Sequence, residues 1–151
     1  MARPPAPPPV PGRADFVEVF KSRRLMVLER DGRPIRTYRI MLGLNPVGPK
    51  QREGDKRTPE GDYFIDYRNP NSRFFLSLHI SYPNVGDILA GMKRGERHLG
   101  GDIFIHGMGF APDAPLYVGR DWTDGCIAVT NEDMAEIWRL IPDGTPIRIH
   151  P

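Results

Sequence analysis

The chain has 151 residues, enough for one domain of ordinary size, and a chain of that length buries roughly 70% of its unfolded surface. Its 21 Lys and Arg against 19 Asp and Glu leave a net charge of +2, which excludes a nucleic-acid binder held by a basic stripe. With 16 Gly, 17 Pro and no apolar run long enough for a membrane span, a helical bundle and a spanning helix are excluded, and short strands joined by loops are expected.

Met1 to Pro11 contains six prolines and no apolar signal core. Residues 1–14 read as a stiff, extended linker, and 15–151 as the globular domain. Such a start fits a cytoplasmic protein, or a chain that begins after a removed leader or anchor. Phe16, Val17, Val19 and Phe20 form the first expected strand. Leu25–Glu29 and Ile35–Leu42 are two β-rich runs, and Asp31-Gly32 between them marks a hairpin turn. Asn45 to Pro59 holds three prolines, two glycines and six charges, so a long exposed loop is expected there, its charges solvated or in contact with an anionic ligand.

Tyr63–Tyr67 is the next strand. Leu76, Leu78 and Ile80 then alternate with Ser77, His79 and Ser81, a strand with one apolar and one polar face. Asn84 is placed to cap a helix carrying Ile88, Leu89 and Met92 as its apolar face, with Gly95 ending it. Ile103–His106 is a strand that stops at Gly107, Phe110–Trp122 is a loop, and Ile127–Val129 is a short apolar strand. Thr130 and Asp133 stand in capping-box spacing before a helix whose stripe is Met134, Ile137, Trp138 and Ile141. Asp143-Gly144 turns the chain into a last strand with Ile147 and Ile149. Seven or eight short strands and two helices make a mostly-β sandwich or barrel.

Cys126 is the lone cysteine, so no internal disulfide forms. Twenty residues before it stands His106. A cysteine nucleophile needs a base or an imidazolium beside it, and donors for the oxyanion it creates. Gly125 offers close approach to the backbone N–H groups of Gly125 and Cys126, and Gly107 lets the chain turn away after the histidine. A buried apolar cysteine and a hydrogen-bonded core histidine are the ordinary fates of these residue types. A zinc site from His79, His106 and Cys126 is the other option, with no close-spaced ligand pair behind it.

The stretch Ile103-Phe104-Ile105-His106-Gly107 followed by Thr123-Asp124-Gly125-Cys126-Ile127-Ala128-Val129 resembles the catalytic domain of the L,D-transpeptidase (YkuD-like) family. Thr58-Pro59-Glu60-Gly61-Asp62-Tyr63 is similar to that family's Thr-Pro-x-Gly-x-aromatic segment, and the opening hairpin also fits. The resemblance implies a β-sandwich with its site in a cleft under loops, and peptidoglycan stem peptides as partners. Cys126 would be the nucleophile, His106 its proton partner and the Gly107 carbonyl the group orienting the imidazole. Backbone N–H groups of Asp124, Gly125 and Cys126 would meet the oxyanion, and Thr123, Trp122, Tyr82 and His79 would line the substrate. No cofactor or metal is implied. Family members act outside the cytoplasmic membrane, which places the domain in the periplasm or cell envelope, as a monomer, and many react with carbapenems. Asp124 stands where many members carry His, and Ala128 where many carry Arg. The Cys-x-Ala form resembles a branch that includes hydrolases. Three functions are therefore open: a cross-linking or editing transpeptidase, a carboxypeptidase or amidase-like hydrolase with the same site, and a catalytically silent wall-binding module.

Overall fold

A computed structural model describes residues 12–151. The expected linker over 1–14 lies outside them apart from its last three residues. Of these, Ala14 is buried and donates its N–H to the Leu140 carbonyl at 2.8 Å, so packing begins one residue before the expected boundary.

Eight strands form one sheet: β1 (Phe16–Phe20), β2 (Leu25–Arg30), β3 (Arg33–Arg39), β4 (Gly61–Ser72), β5 (Phe75–Ile80), β6 (Phe104–His106), β7 (Ile127–Ala128) and β8 (Pro146–His150). Their spatial order is β3-β2-β1-β8-β4-β5-β6-β7. All neighbours are antiparallel except β1 with β8 and β6 with β7. The hairpin of β2 and β3 turns at Asp31 and Gly32, both at positive φ, as a two-residue primed turn requires. Pro34 costs the sheet no ladder bond, because β3 is its outer edge. β4 runs five residues past the expected Tyr67. Beyond Phe64 it pairs with β5 alone, so its polar end Arg68–Ser72 stays wetted and carries no apolar alternation to read.

Two helices complete the fold, α1 (Val85–Arg94) and α2 (Asn131–Leu140). Asn84 accepts from the Asp87 N–H, Asp87 reaches back to the Asn84 N–H, and Gly95 closes the helix in the left-handed region. The expected apolar face of α1 is not its packing face. Ile88, Leu89 and Met92 are 44%, 54% and 69% exposed. The helix docks by Gly91 instead, where an added Cβ would come within 2.7 Å of Leu99. On α2 the stripe behaves as expected: Met134, Ile137 and Ile141 are fully buried, and Trp138 packs beside them under the Arg68 guanidinium. The core joins this helix to the inward residues of the strands, Val17, Met26, Ile65, Leu78 and Ile105 among them, which follow the period of two that a pleated strand imposes.

Candidate active site

His106 ends β6, and Cys126 immediately precedes β7, the parallel neighbour of β6. The register, Ile105 with Ile127 and His106 with Ala128, puts Cys126 level with Phe104, two residues along from His106, and both residues line the same cleft of about 850 Å³. The Cys126 Sγ accepts from the Phe104 N–H at 3.4 Å and donates to the Asp102 carbonyl at 3.3 Å.

The His106 Nδ1 lies 2.6 Å from the carbonyl oxygen of Gly107. A carbonyl oxygen only accepts, so Nδ1 must carry the hydrogen and Nε2 keeps its lone pair. The glycine at 107 is required by crowding, not by a turn. An added Cβ would come within 2.5 Å of the Asn131 side-chain oxygen and 2.9 Å of the Phe74 carbonyl. That Asn131 oxygen accepts from the N–H groups of Met108 and Gly109, and the Asn131 amide donates to the Gly109 carbonyl. The start of α2 thus clamps the segment that presents the Gly107 carbonyl.

The ring of His106 stacks on Phe74, with centroids 4.4 Å apart, and meets the edge of Trp122 at 5.6 Å. This aromatic enclosure makes the imidazole costly to charge. Burial pushes it down to about 4, the Gly107 hydrogen bond opposing and the Arg73 charge adding to the effect. Burial also pushes the Cys126 thiol up to about 11, partly offset by the Phe104 N–H and reinforced by Asp124 and Asp102. At neutral pH the resting site holds a neutral thiol and a neutral imidazole. The Asp124 carboxylate is exposed and paired with Lys56 at 2.8 Å, which blunts its effect on the thiol.

The turn carrying the cysteine is built by Thr123. Its hydroxyl donates to the Cys126 carbonyl at 2.7 Å and accepts the Gly125 N–H at 3.1 Å. The Gly125 N–H is therefore spent internally and is not available to an oxyanion, contrary to the sequence reading. Among the described residues the N–H groups of Asp124 and Cys126 have no internal acceptor. Gly125 is also not a point of substrate approach: it is buried, at φ +131°, and an added Cβ would lie 2.7 Å from the Arg57 carbonyl. Upstream, Asp121 receives a two-toothed contact from Arg24 and the Leu42 N–H, which fixes the entry to this turn.

Trp122 and Thr123 border the cleft as expected. Two other expected substrate contacts do not. Tyr82 is buried and donates its hydroxyl to the Leu99 carbonyl, because its ring packs into the core beside Tyr63. His79 is taken up by Asp66 at 2.6 Å and by stacking on Tyr67. No three His, Cys, Asp or Glu side chains are grouped as metal ligands among the described residues. Phe74, Arg73, Asp102 and Lys50 line the cleft although no local motif announced them.

The loop over 45–59 is less solvated than its charges suggest. Lys50 and Asp55 form a buried pair at 2.9 Å. Burial alone would raise the Asp55 pKa, but the Gln51, Arg52 and Arg57 N–H groups and Lys50 hold it below the usual carboxylate range. Lys21, also buried, donates to the carbonyls of Gly48 and Thr58 and to Glu60. The Thr58-Pro59 segment therefore serves the scaffold, with Thr58 Oγ1 accepting from the Gly43 N–H.

A thiol and a carbonyl-tethered imidazole thus share one cleft of a mostly-β domain. The sequence profile of the L,D-transpeptidase catalytic domain (YkuD) matches residues 14–149, and the chain belongs to that family. It is 27% identical over 136 residues to YafK of Escherichia coli strain K12, which is named as an L,D-transpeptidase; the match spans 86% of this chain and 48% of that protein. Identity to YkuD of Bacillus licheniformis, similarly named, is 28% over 87% of this chain and 62% of that protein. The chain thus spans about half to three-fifths of these relatives. Among solved structures, the helical cell shape determining protein Pgp2 from Campylobacter jejuni superposes with a TM-score of 0.66 at 26% identity, covering 91% of this chain and 48% of that one. Bd1075 of Bdellovibrio bacteriovorus superposes with a TM-score of 0.63 at 28% identity over the same shares.

Proposed function

We propose that the domain is a cysteine-dependent L,D-transpeptidase that cross-links or edits peptidoglycan stem peptides in the cell envelope. The observation that carries this reading is the 2.6 Å contact of the His106 Nδ1 with the Gly107 carbonyl. With Nδ1–H given to the Gly107 carbonyl, a bare Nε2 is left in the cleft that Cys126 shares. In the first step Sγ attacks the carbonyl of the L-centred third residue of a stem. The thiol proton passes to Nε2 as the sulfur–carbon bond forms. The backbone N–H groups of Asp124 and Cys126 meet the oxyanion. As the intermediate collapses, the amide carbon–nitrogen bond breaks, and the proton on Nε2 goes to the departing amine of the terminal D-amino acid. In the second step an amine of another stem attacks the thioester, gives its proton to Nε2, and forms a new amide while the thiol is regenerated. No metal or cofactor takes part in this scheme.

Because the resting pair is neutral, the imidazole acts as a general base during attack and does not hold a preformed thiolate. Incubation with a stem tetrapeptide or a carbapenem is expected to add the acyl mass to the protein, and Cys126→Ala to abolish the addition. A folded preparation that never gains mass with either reagent would sink the proposal. Products from sacculi tell transfer from hydrolysis: cross-linked dimers mark the transpeptidase, trimmed monomers the hydrolase.

A further inference from the structure

Three cationic side chains line the cleft. Lys50 is paired with Asp55 and Lys56 with Asp124. Arg73 is the third, and among the described residues no carboxylate lies within ion-pair distance of its guanidinium. Arg73 occupies the turn between β4 and β5, with its exposed head 4.7 Å from the centroid of the Phe74 ring. Phe74 in turn stacks on His106. Phe74 thus touches both the guanidinium and the imidazole. On the other side, the sulfur of Cys126 rests against the Asp102 carbonyl. The cleft carries a free cation beyond the imidazole and an acidic residue beside the thiol.

A guanidinium resting over an aromatic ring keeps N–H groups free to fork onto a carboxylate. In the reaction proposed above, the departing amine collects its proton from His106, so it leaves on the imidazole side. The carboxylate of a departing terminal residue is two bonds from that nitrogen. It then lies on the side of the cleft along which the contacts of His106 with Phe74 and of Phe74 with Arg73 run.

We propose, resting on that reading of the reaction, that Arg73 is a specificity residue. It binds the free carboxylate of the leaving amino acid and so confines the domain to donors that end one residue beyond the scissile bond. The carboxylate leaves with the amine when the thioester forms, so Arg73 serves acylation and has no part in transfer to the acceptor.

The test begins with binding, which needs no turnover. In a Cys126→Ser background, a stem tetrapeptide with a free terminal carboxylate is expected to bind about tenfold tighter than its C-terminal amide, the size of one charge-assisted hydrogen-bond pair. Arg73→Gln should erase that ratio and Arg73→Lys should keep part of it. Equal binding of acid and amide to the parent, or a ratio that survives Arg73→Gln, overturns the proposal. If the ratio behaves as expected while the wild type forms no thioester, the carboxylate site stands and the transpeptidase reading fails. A stem with lysine in place of a diamino dicarboxylic acid at the third position should show the same acid-to-amide ratio; loss of the ratio there would assign Arg73 to the side-chain carboxylate and overturn the claim for the leaving group. A purely structural Arg73, acting through Phe74 on the site, would weaken the binding of acid and amide alike, whereas Arg73→Gln is expected to weaken the acid alone.

Discussion

The imidazole of His106 lies nearly parallel to the ring of Phe74, tilted by 18° with centroids 4.4 Å apart. Phe74 lies in the turn between β4 and β5 while His106 ends β6, and their contact sets both the place and the basicity of the proton acceptor. A charged imidazole in this sandwich would lose its water, so the neutral form dominates.

Phe74→Ala should let water reach the ring. The His106 pKa is then expected to rise from about 4 toward its ordinary 6.5, and acylation at pH 6 to drop by up to about fourfold. Phe74→Leu, which keeps the cover without the flat stacking surface, should fall between. The acid limb of the acylation rate, followed by mass spectrometry against pH, reads the shift; a limb that stays put in Phe74→Ala would remove Phe74 from this role.

Thioester formation in the wild type should fall on the acid side with a midpoint near 4, since that is where the base becomes protonated. Stability carries the same signature. The unfolded chain takes up a proton on this histidine near 6.5 and the folded chain only near 4, so the unfolded state binds more protons in between. Stability is full above 6.5 and is lost as pH falls toward 4, by on the order of 2–3 kcal/mol. Denaturant midpoints across this window should slope upward with pH, and His106→Gln should flatten the slope. A thiol alkylated by iodoacetamide with an apparent pKa below 7 would contradict the neutral resting pair, for which alkylation climbs toward about pH 11.

Thr123→Val keeps the shape of the side chain and deletes its hydroxyl. The Gly125 N–H then loses its acceptor and the Cys126 carbonyl its donor. A loss of about 1–3 kcal/mol is expected, with acylation reduced at least tenfold, while Thr123→Ser retains most of both. Urea unfolding and acylation rates decide this; a Thr123→Val protein as stable and as fast as the wild type would show that the hydroxyl does not hold the turn.

Lys21→Met should cost about 3–5 kcal/mol, because it strands the partly buried Glu60 and leaves two carbonyls without their donor. Since Gly48 and Thr58 supply those carbonyls, amide exchange should quicken first in the loop over 45–59. Uniform exchange across the chain would place the lysine's role elsewhere.

Much of the fold was legible wherever one periodicity ruled alone. The alternation in β5, the Asn84 cap with Gly95, the Asp31-Gly32 turn and the stripe of α2 all follow from local rules. The apolar side of α1 misled, because a helix can dock through a glycine when a leucine such as Leu99 fills the gap, and no hydrophobic period marks that. The site divided in the same manner. His106, Gly107, Thr123 and Cys126 sit in a readable motif. Phe74, Arg73 and Asn131 reach it through strand order and the placement of α2, which emerge only when distant parts of the sequence pair. Tyr82 and His79 were expected beside the substrate, but each found its polar partner, Leu99 and Asp66, away from the cleft.

The position of β8 between β1 and β4 has a temporal consequence. It is made of residues 146–150, yet it joins the first strand to the middle of the sheet. While a ribosome still holds that segment, the opening hairpin and the later strands each present a bare edge, and neither half can finish the other. The two halves of the sheet are therefore joined only once synthesis has run past residue 150.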